Sequence, residues 1–276
     1  MAALAEGHLV APGQATLAVE MVFHESTVTS AAASNPMKLL TPVARGKSVW
    51  AYTSSFGGGL VAGDCTKLDV SVSGGARCFL GTQSSTKVYR NPAALPCTHS
   101  TQAEIKDDSI LVFTPEPVQA FADSHYSQKQ EFHLTPNASL VLLDWFSSGR
   151  AARGERWAFN HLESRNDVFI GGERALVDSI RLNSEELAAQ MGRFNCLATL
   201  LLIGPAVKAV ADDLLQQLAA RPIAKQATLN FSASLVRGGI LIRLAGTEVE
   251  LVRRELSGHL AFLRDILGDD PWARKW

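Results

Sequence analysis

The sequence predicts a mainly β fold. Stacked or repeated β-sheets form a sandwich or a β-helix-like body, and a smaller α+β C-terminal part carries two or three helices. Three observations lead there. Apolar and polar residues alternate through residues 1–183, a strand-turn-strand unit recurs within that stretch, and helical spacing takes over in residues 184–276. No long Ser/Gly/Pro linker interrupts the chain, so one continuous body over 1–276 is expected, its α+β part not independent.

Taken in order, Ala15–Phe23 places Leu17, Val19 and Met21 on one face and Thr16, Ala18 and Glu20 on the other, the period of a half-buried strand. Lys67–Val72 alternates likewise, and Gly74-Gly75 then supplies a turn before Arg77–Leu80. This unit returns as AEIKDDSILVF and KQEFHLTPNASLVLLDWF. The small residues Ala76, Ser109 and Ser139, spaced by 33 and 30, mark its period. Further on, Asn183 and Glu186 suggest a capping box for a short helix to about Arg193. Thr199–Ile203 reads as a buried strand, and Gly204-Pro205 opens a helix over Ala206–Ala220 with Val207, Val210, Leu214, Leu215 and Leu218 on one face. Strands at Ala227–Leu235 and Ile240–Ala245 flank Gly238-Gly239, and a last helix over Glu248–Leu267 stops at Gly268. The tail Pro271–Trp276 reads as a frayed end, or as a partner-docking one through Trp272 or Trp276.

Composition narrows the function. With 46% hydrophobic and 19% charged residues, a sizeable core is available. A net charge of −1 from 26 basic and 27 acidic side chains gives no electrostatic reason to expect nucleic acid or an anionic membrane as partner. Cys65, Cys78, Cys97 and Cys196 are dispersed, which fits a reducing compartment better than a disulfide scaffold. The first residues lack a signal-peptide pattern and no apolar run is long enough to span a bilayer, so a soluble, cytoplasmic protein is expected.

The chemistry-bearing segments are few. In SFGGGLVAGD (Ser55–Asp64), Gly57, Gly58, Gly59 and Gly63 allow positive φ or a close backbone approach, to a neighbouring strand or to a ligand. The pattern matches neither a dinucleotide fingerprint nor a P-loop. TQSSTKVYR (Thr82–Arg90) holds Ser84, Ser85 and Thr86 beside Lys87 but no nucleophile elbow, and nothing else favours an enzyme. Cys65, Cys78, Cys97 and His99 lack the paired spacing of a structural zinc site. Asp144 stands inside the apolar run LVLLDWF, where a charge is costly unless paired, hydrated or bound to a cation. Arg150 or Arg153 would pair it as an internal salt bridge; a water-lined cation passage is the functional alternative. Glu155 lies between Arg153 and Arg156.

Those segments stand in a shared order. GGGLVAGD, then TQSSTKVYR, then PEPVQAF at Pro115–Phe121, then LLDWFSSGRAARGERWAF at Leu142–Phe159 resemble the UreD (UreH) urease accessory proteins, with similarity from Ala15 to at least Asn183. The resemblance implies a helix-poor fold of stacked sheets and a non-enzymatic chaperone role. Its implied partners are UreF-like and UreG-like accessory proteins and apo-urease, with nickel carried in transit and no cofactor permanently bound. It also implies that Asp64 and Asp144, and more weakly Glu155, lie along an internal passage for the ion. The motif positions Gly57, Gly58, Gly59, Gly63, Thr82, Gln83, Lys87, Tyr89, Arg90, Arg150 and Gly154 carry the match. Phe56 replaces a common Pro and Ala62 a common Gly, which bears on the loop's conformation. An adaptor that holds partners together without carrying metal is the alternative reading.

Overall fold

A computed structural model describes residues 10–43, 46–183 and 186–273. Numbered in chain order, the strands begin with β1 (Gln14–Val22), β2 (Glu25–Ala33), β3 (Met37–Leu40), β4 (Val49–Ser55), β5 (Gly59–Leu60) and β6 (Cys65–Ser73). They continue with β7 (Arg77–Thr82), β8 (Thr86–Val88), β9 (Cys97–Ile105), β10 (Ile110–Phe113), β11 (Val118–Ala120) and β12 (His125–Leu134). The last are β13 (Ser139–Ser147), β14 (His161–Ile170), β15 (Glu173–Asn183), β16 (Cys196–Ile203), β17 (Leu229–Val236) and β18 (Gly239–Gly246). Four helices, α1 (Leu187–Met191), α2 (Lys208–Ala220), α3 (Val249–His259) and α4 (Leu263–Leu267), lie in the C-terminal part.

Two sheets face each other. The first runs β15-β14-β12-β9-β6-β1-β2, and the second runs β17-β18-β16-β13-β10-β7-β4-β3, with β11, β8 and β5 attached. The middle of each is parallel because the chain coils: β6, β9 and β12 lie side by side in the first sheet, and after each a tight turn delivers β7, β10 or β13 to the second. The recurring sequence unit is one such coil. Its turns close in the same way, by Ala76 N–H to Ser73 O, Ser109 N–H to Lys106 O and Ala138 N–H to Thr135 O. Register aligns Arg77 with Ile110 and Ser139, so the stacked small residues are Ala76, Ser109 and Ala138, all buried. The third mark of the repeat therefore falls one residue earlier than Ser139. The antiparallel hairpin β14–β15 ends the coiling.

The C-terminal strands do not form a separate layer. β16 pairs antiparallel with β13 and β18 with β16, which extends the second sheet past the edge of the first. The helices cover the outer face of that sheet. Val207, Ala211, Leu214 and Leu218 from α2 and its lead-in turn, with Val252, Leu256, Leu260, Leu263 and Leu267, pack on Val141, Leu143 and Trp145. All nine residues of β13 are buried for this reason: odd positions meet helices and even positions meet the first sheet.

The expected last helix is split between α3 and α4 and stops at Gly268, whose φ of 78° is left-handed. Asn183 ends β15 and bonds the His161 ring, so it is no helix cap; the capping-box segment 184–185 lies outside the described residues. Pro271 is buried and Trp272 packs on the helix-side core, so the tail is anchored that far, while Trp276 lies outside the described residues. Among the described residues no helix is long and apolar enough to cross a membrane.

Candidate functional site: a polar seam between the sheets

On three adjacent strands of the first sheet the inward-facing residues change character twice. On the inner face of β12, Tyr126 and then Phe132 and Leu134 are apolar, but Gln128 and Gln130 lie between them. β9 inserts His99 and Thr101 between Cys97 and Ala103, and β14 inserts Ser164 and Asn166 between Leu162 and Val168. Register places these residues in two rungs, Thr66–His99–Gln128–Ser164 and Thr101–Gln130–Asn166–Asp178. From the opposite sheet, Asp144 takes the equivalent place between Leu142 and Phe146, with Thr199 and Arg243 beside it in register. The result is a polar seam running across the strands. It divides one apolar cluster, which includes Leu140, Leu142, Phe132 and Ile105, from another built on Tyr126, Phe146, Phe159 and Leu162.

Asp144 is the centre of the seam. Its Oδ1 accepts from Gln128 Nε2 at 2.8 Å, and its Oδ2 accepts from Ser164 Oγ at 2.6 Å and Asn166 Nδ2 at 3.0 Å. Gln128 also donates to Ser164 Oγ (2.8 Å) and accepts from the Tyr126 hydroxyl (3.0 Å), while Gln130 donates to Asn166 Oδ1 (2.8 Å). Neither Arg150 nor Arg153 pairs with Asp144; Arg150 is held by both oxygens of Glu155, at 2.9 and 2.5 Å. The expected internal salt bridge is therefore absent among the described residues, because the arginines sit on a loop at the strand's end. Burial pushes the Asp144 carboxyl above the usual carboxylate range; its three donors oppose that push, and Asp178 adds to it.

A cavity of about 90 Å³ opens on this network. Gln128, Gln130, His99 and Thr66 line it from the first sheet, and Asp144, Thr82 and Thr86 line it from the second, with Ser84 and Ser85 on the β7–β8 turn and Gly58 at the glycine loop. The His99 ring borders the cavity, with Nδ1 against Thr66 Oγ1 at 2.9 Å and Nε2 against Thr101 Oγ1 at 3.1 Å. Its removal from bulk water pushes its pKa down to about 4, so the imidazole is neutral near pH 7. Oxygen donors and a neutral imidazole suit a divalent transition-metal ion. Among the described residues no three His, Cys, Asp or Glu side chains form a metal-holding cluster. The four cysteines are free and dispersed, with Cys65 exposed and Cys97 donating to Val61 O, so they make no zinc set with His99.

The glycine loop is placed by its neighbour strand. A Cβ on Gly59 would meet Lys87 O at 2.6 Å and the Tyr89 ring at 2.7 Å, and the Tyr89 hydroxyl donates to Gly57 O. Gly57, Gly58 and Gly63 have φ of 72°, 72° and 82°. Asp64 caps the following turn through Val61 N–H to Oδ2 (2.8 Å). Thr82 Oγ1 accepts from Glu116 N–H, Gln83 N–H donates to Thr53 O, Arg90 pairs with Asp123, and Gly154 closes the turn after Arg153. Asp64 and Glu155 do not line the cavity; Asp64 caps its own turn, and Glu155 holds Arg150 and accepts from Ala122 N–H. The structure thus gathers Asp144, Gly58 and Thr82 with residues the motif search passed over: Gln128, Gln130, Ser164 and Asn166.

Comparison with known proteins decides the family. A model of the UreD urease accessory protein family matches residues 11–276. The chain belongs to that family. Among its relatives, the urease accessory protein UreD of Sorangium cellulosum (strain So ce56) is 46% identical over 268 residues, covering 96% of this chain and 84% of that one. UreD of Anaeromyxobacter sp. (strain Fw109-5) is 39% identical over 252 residues, covering 90% and 84%. Urease accessory protein D of Oryza sativa subsp. japonica is 30% identical over 295 residues, covering 95% and 96%. The family match spans both sheets and the covering helices, so the seam lies wholly inside it.

Proposed function

We propose that this chain is a non-enzymatic assembly factor, acting in the cytoplasm with UreF-like and UreG-like proteins, that delivers nickel to apo-urease along the inter-sheet seam. Asp144 carries the reading. A buried carboxylate held only by neutral side-chain donors has no fixed counter-cation, so a passing cation can pair with it, which a buried salt bridge would not allow. The seam supplies further oxygen donors and the neutral His99 ring, each a weak ligand alone, as transit requires. Family membership and relatives named urease accessory proteins support the assembly role.

The test is Asp144→Ala in cells expressing the urease genes, reading urease nickel content and activity beside copurification of the chain with urease. Lowered nickel with copurification intact is the expected result. Normal nickel loading by that variant overturns the passage and leaves the adaptor reading, in which the chain only holds partners together.

A further inference from the structure

The seam has a second end. Past Asp144, the next residues in register on the second sheet are Thr199 and Arg243, both on the face that meets the first sheet. There β18 and β17 overhang the edge strand β15, and a cleft of about 390 Å³ opens, lined by Asp178, Thr199, Asn230, Ser232 and Arg243. Asp178 belongs to the rung that holds Asn166, which itself donates to Asp144. The cavity and the cleft therefore lie on either side of one backbone pair, Asp144–Thr199, in a single polar layer.

We propose that this cleft is the lateral mouth of the passage and that Arg243 is its plug, a tethered cation occupying the place of the travelling one. Arg243 Nη2 lies 2.5 Å from Asp178 Oδ1, and the two side chains differ sharply in setting. Asp178 is 11% exposed and fixed on the rung, whereas Arg243 is 54% exposed and has solvent beside it. A guanidinium in the mouth neutralises Asp178 when no ion is present and repels a divalent cation that lacks the means to displace it. When an ion reaches the mouth, the long, half-exposed arginine is the partner that can leave. The repulsion sets a threshold, so the mouth conducts only when a docked acceptor or a high local ion concentration draws the arginine out.

The inference rests on the passage reading, and its test separates the two. The full-length chain is titrated with nickel chloride as the wild type, Arg243→Met and Arg243→Lys. Arg243→Met keeps the apolar stem and removes the charge, and it binds nickel roughly twofold to fivefold more tightly, the scale of a half-exposed ion pair removed from competition. Arg243→Lys stays near the wild type, and adding Asp178→Asn to Arg243→Met abolishes the gain. Equal affinity of Arg243→Met and wild type overturns the plug, as does an Arg243→Lys that binds as tightly as Arg243→Met. If the passage itself is wrong, Asp144→Ala loads urease normally; if only the plug is wrong, Asp144→Ala is still defective while the Arg243 variants are silent.

Discussion

Gln128→Leu probes the seam through stability alone, with no need for partners or metal. Gln128 uses three bonds: it donates to Asp144 Oδ1 and Ser164 Oγ and accepts from the Tyr126 hydroxyl. Leucine fills similar space but leaves the Tyr126 hydroxyl without its acceptor and Asp144 short of one donor. An orphaned buried hydroxyl costs about 1–2 kcal/mol and a lost bond to a charged acceptor about 1.5–3 kcal/mol. Burying leucine in place of an amide returns about 1–2 kcal/mol. The net expectation is a loss of about 2 kcal/mol. With a urea slope of roughly 2–3 kcal/mol/M, the unfolding midpoint falls by about 0.7–1 M.

The pH dependence of that loss gives the stronger test. Burial already holds the Asp144 pKa above its unfolded value of 3.8, and losing Gln128 removes one of the donors opposing the push. A carboxylate raised in the folded state binds protons that the unfolded chain does not, so stability falls as pH rises from the unfolded toward the folded pKa. Below 3.8 both states are protonated and this contribution vanishes. The deficit of Gln128→Leu is therefore smallest in acid and grows as pH rises past the folded-state pKa of Asp144. Adding Tyr126→Phe recovers about 1 kcal/mol by removing the orphaned hydroxyl. A midpoint equal to wild type at pH 7, or a deficit that stays constant into acid, would refute an ionised Asp144 held by Gln128.

Two further outcomes follow from the same geometry. His99 is pushed down to about 4 from an ordinary 6.5, so the unfolded chain takes up a proton before the folded one and stability falls as pH drops through 6.5 to 4. His99→Gln flattens that segment of the urea-midpoint profile, and an unchanged slope there contradicts a buried neutral ring. Gly59→Ala drives a methyl into Lys87 O and the Tyr89 ring; it costs about 1–3 kcal/mol and lowers the melting temperature, and a melting curve matching wild type shows the β5–β8 approach to be loose.

The sequence disclosed much of this fold because the coils repeat. A polar turn and a small residue return at the β6–β7, β9–β10 and β12–β13 turns, and β6 and β12 show clean inner and outer parities. Asp144 was also legible, since an acid in LVLLDWF breaks an apolar run. Its neighbours were not. Gln128, Ser164 and His99 lie on strands about 30 residues apart, and each looks like an ordinary polar residue in an alternating strand. The signal lay in parity: these residues share the phase of Phe132, Val168 and Ile105, which face inward. Once the coils are aligned, the polar exceptions fall in adjacent rungs. Asp64 and Glu155 show the converse, since acids within motif segments turn out to cap a turn and to hold Arg150.

The division of the core bears on what the seam is for. A sandwich of this size gains its stability from continuous apolar contact between the sheets, and Thr101, Gln128, Gln130, Asn166 and Asp144 interrupt that contact at the level where Ala, Leu or Val would pack. Their hydrogen bonds largely satisfy one another, so the layer is tolerated, yet a satisfied polar network contributes less than the hydrocarbon it replaces. Structure alone gives no reason to hold a carboxylate there without a counter-cation. Arg150 and Arg153 stand at the end of the same strand and pair elsewhere or face solvent, while Arg243 is spent on Asp178 at the rim. A chain that carries cations nearby and leaves Asp144 to amides and a hydroxyl has given up stability there, which is the cost expected if the proposed passage runs along the seam.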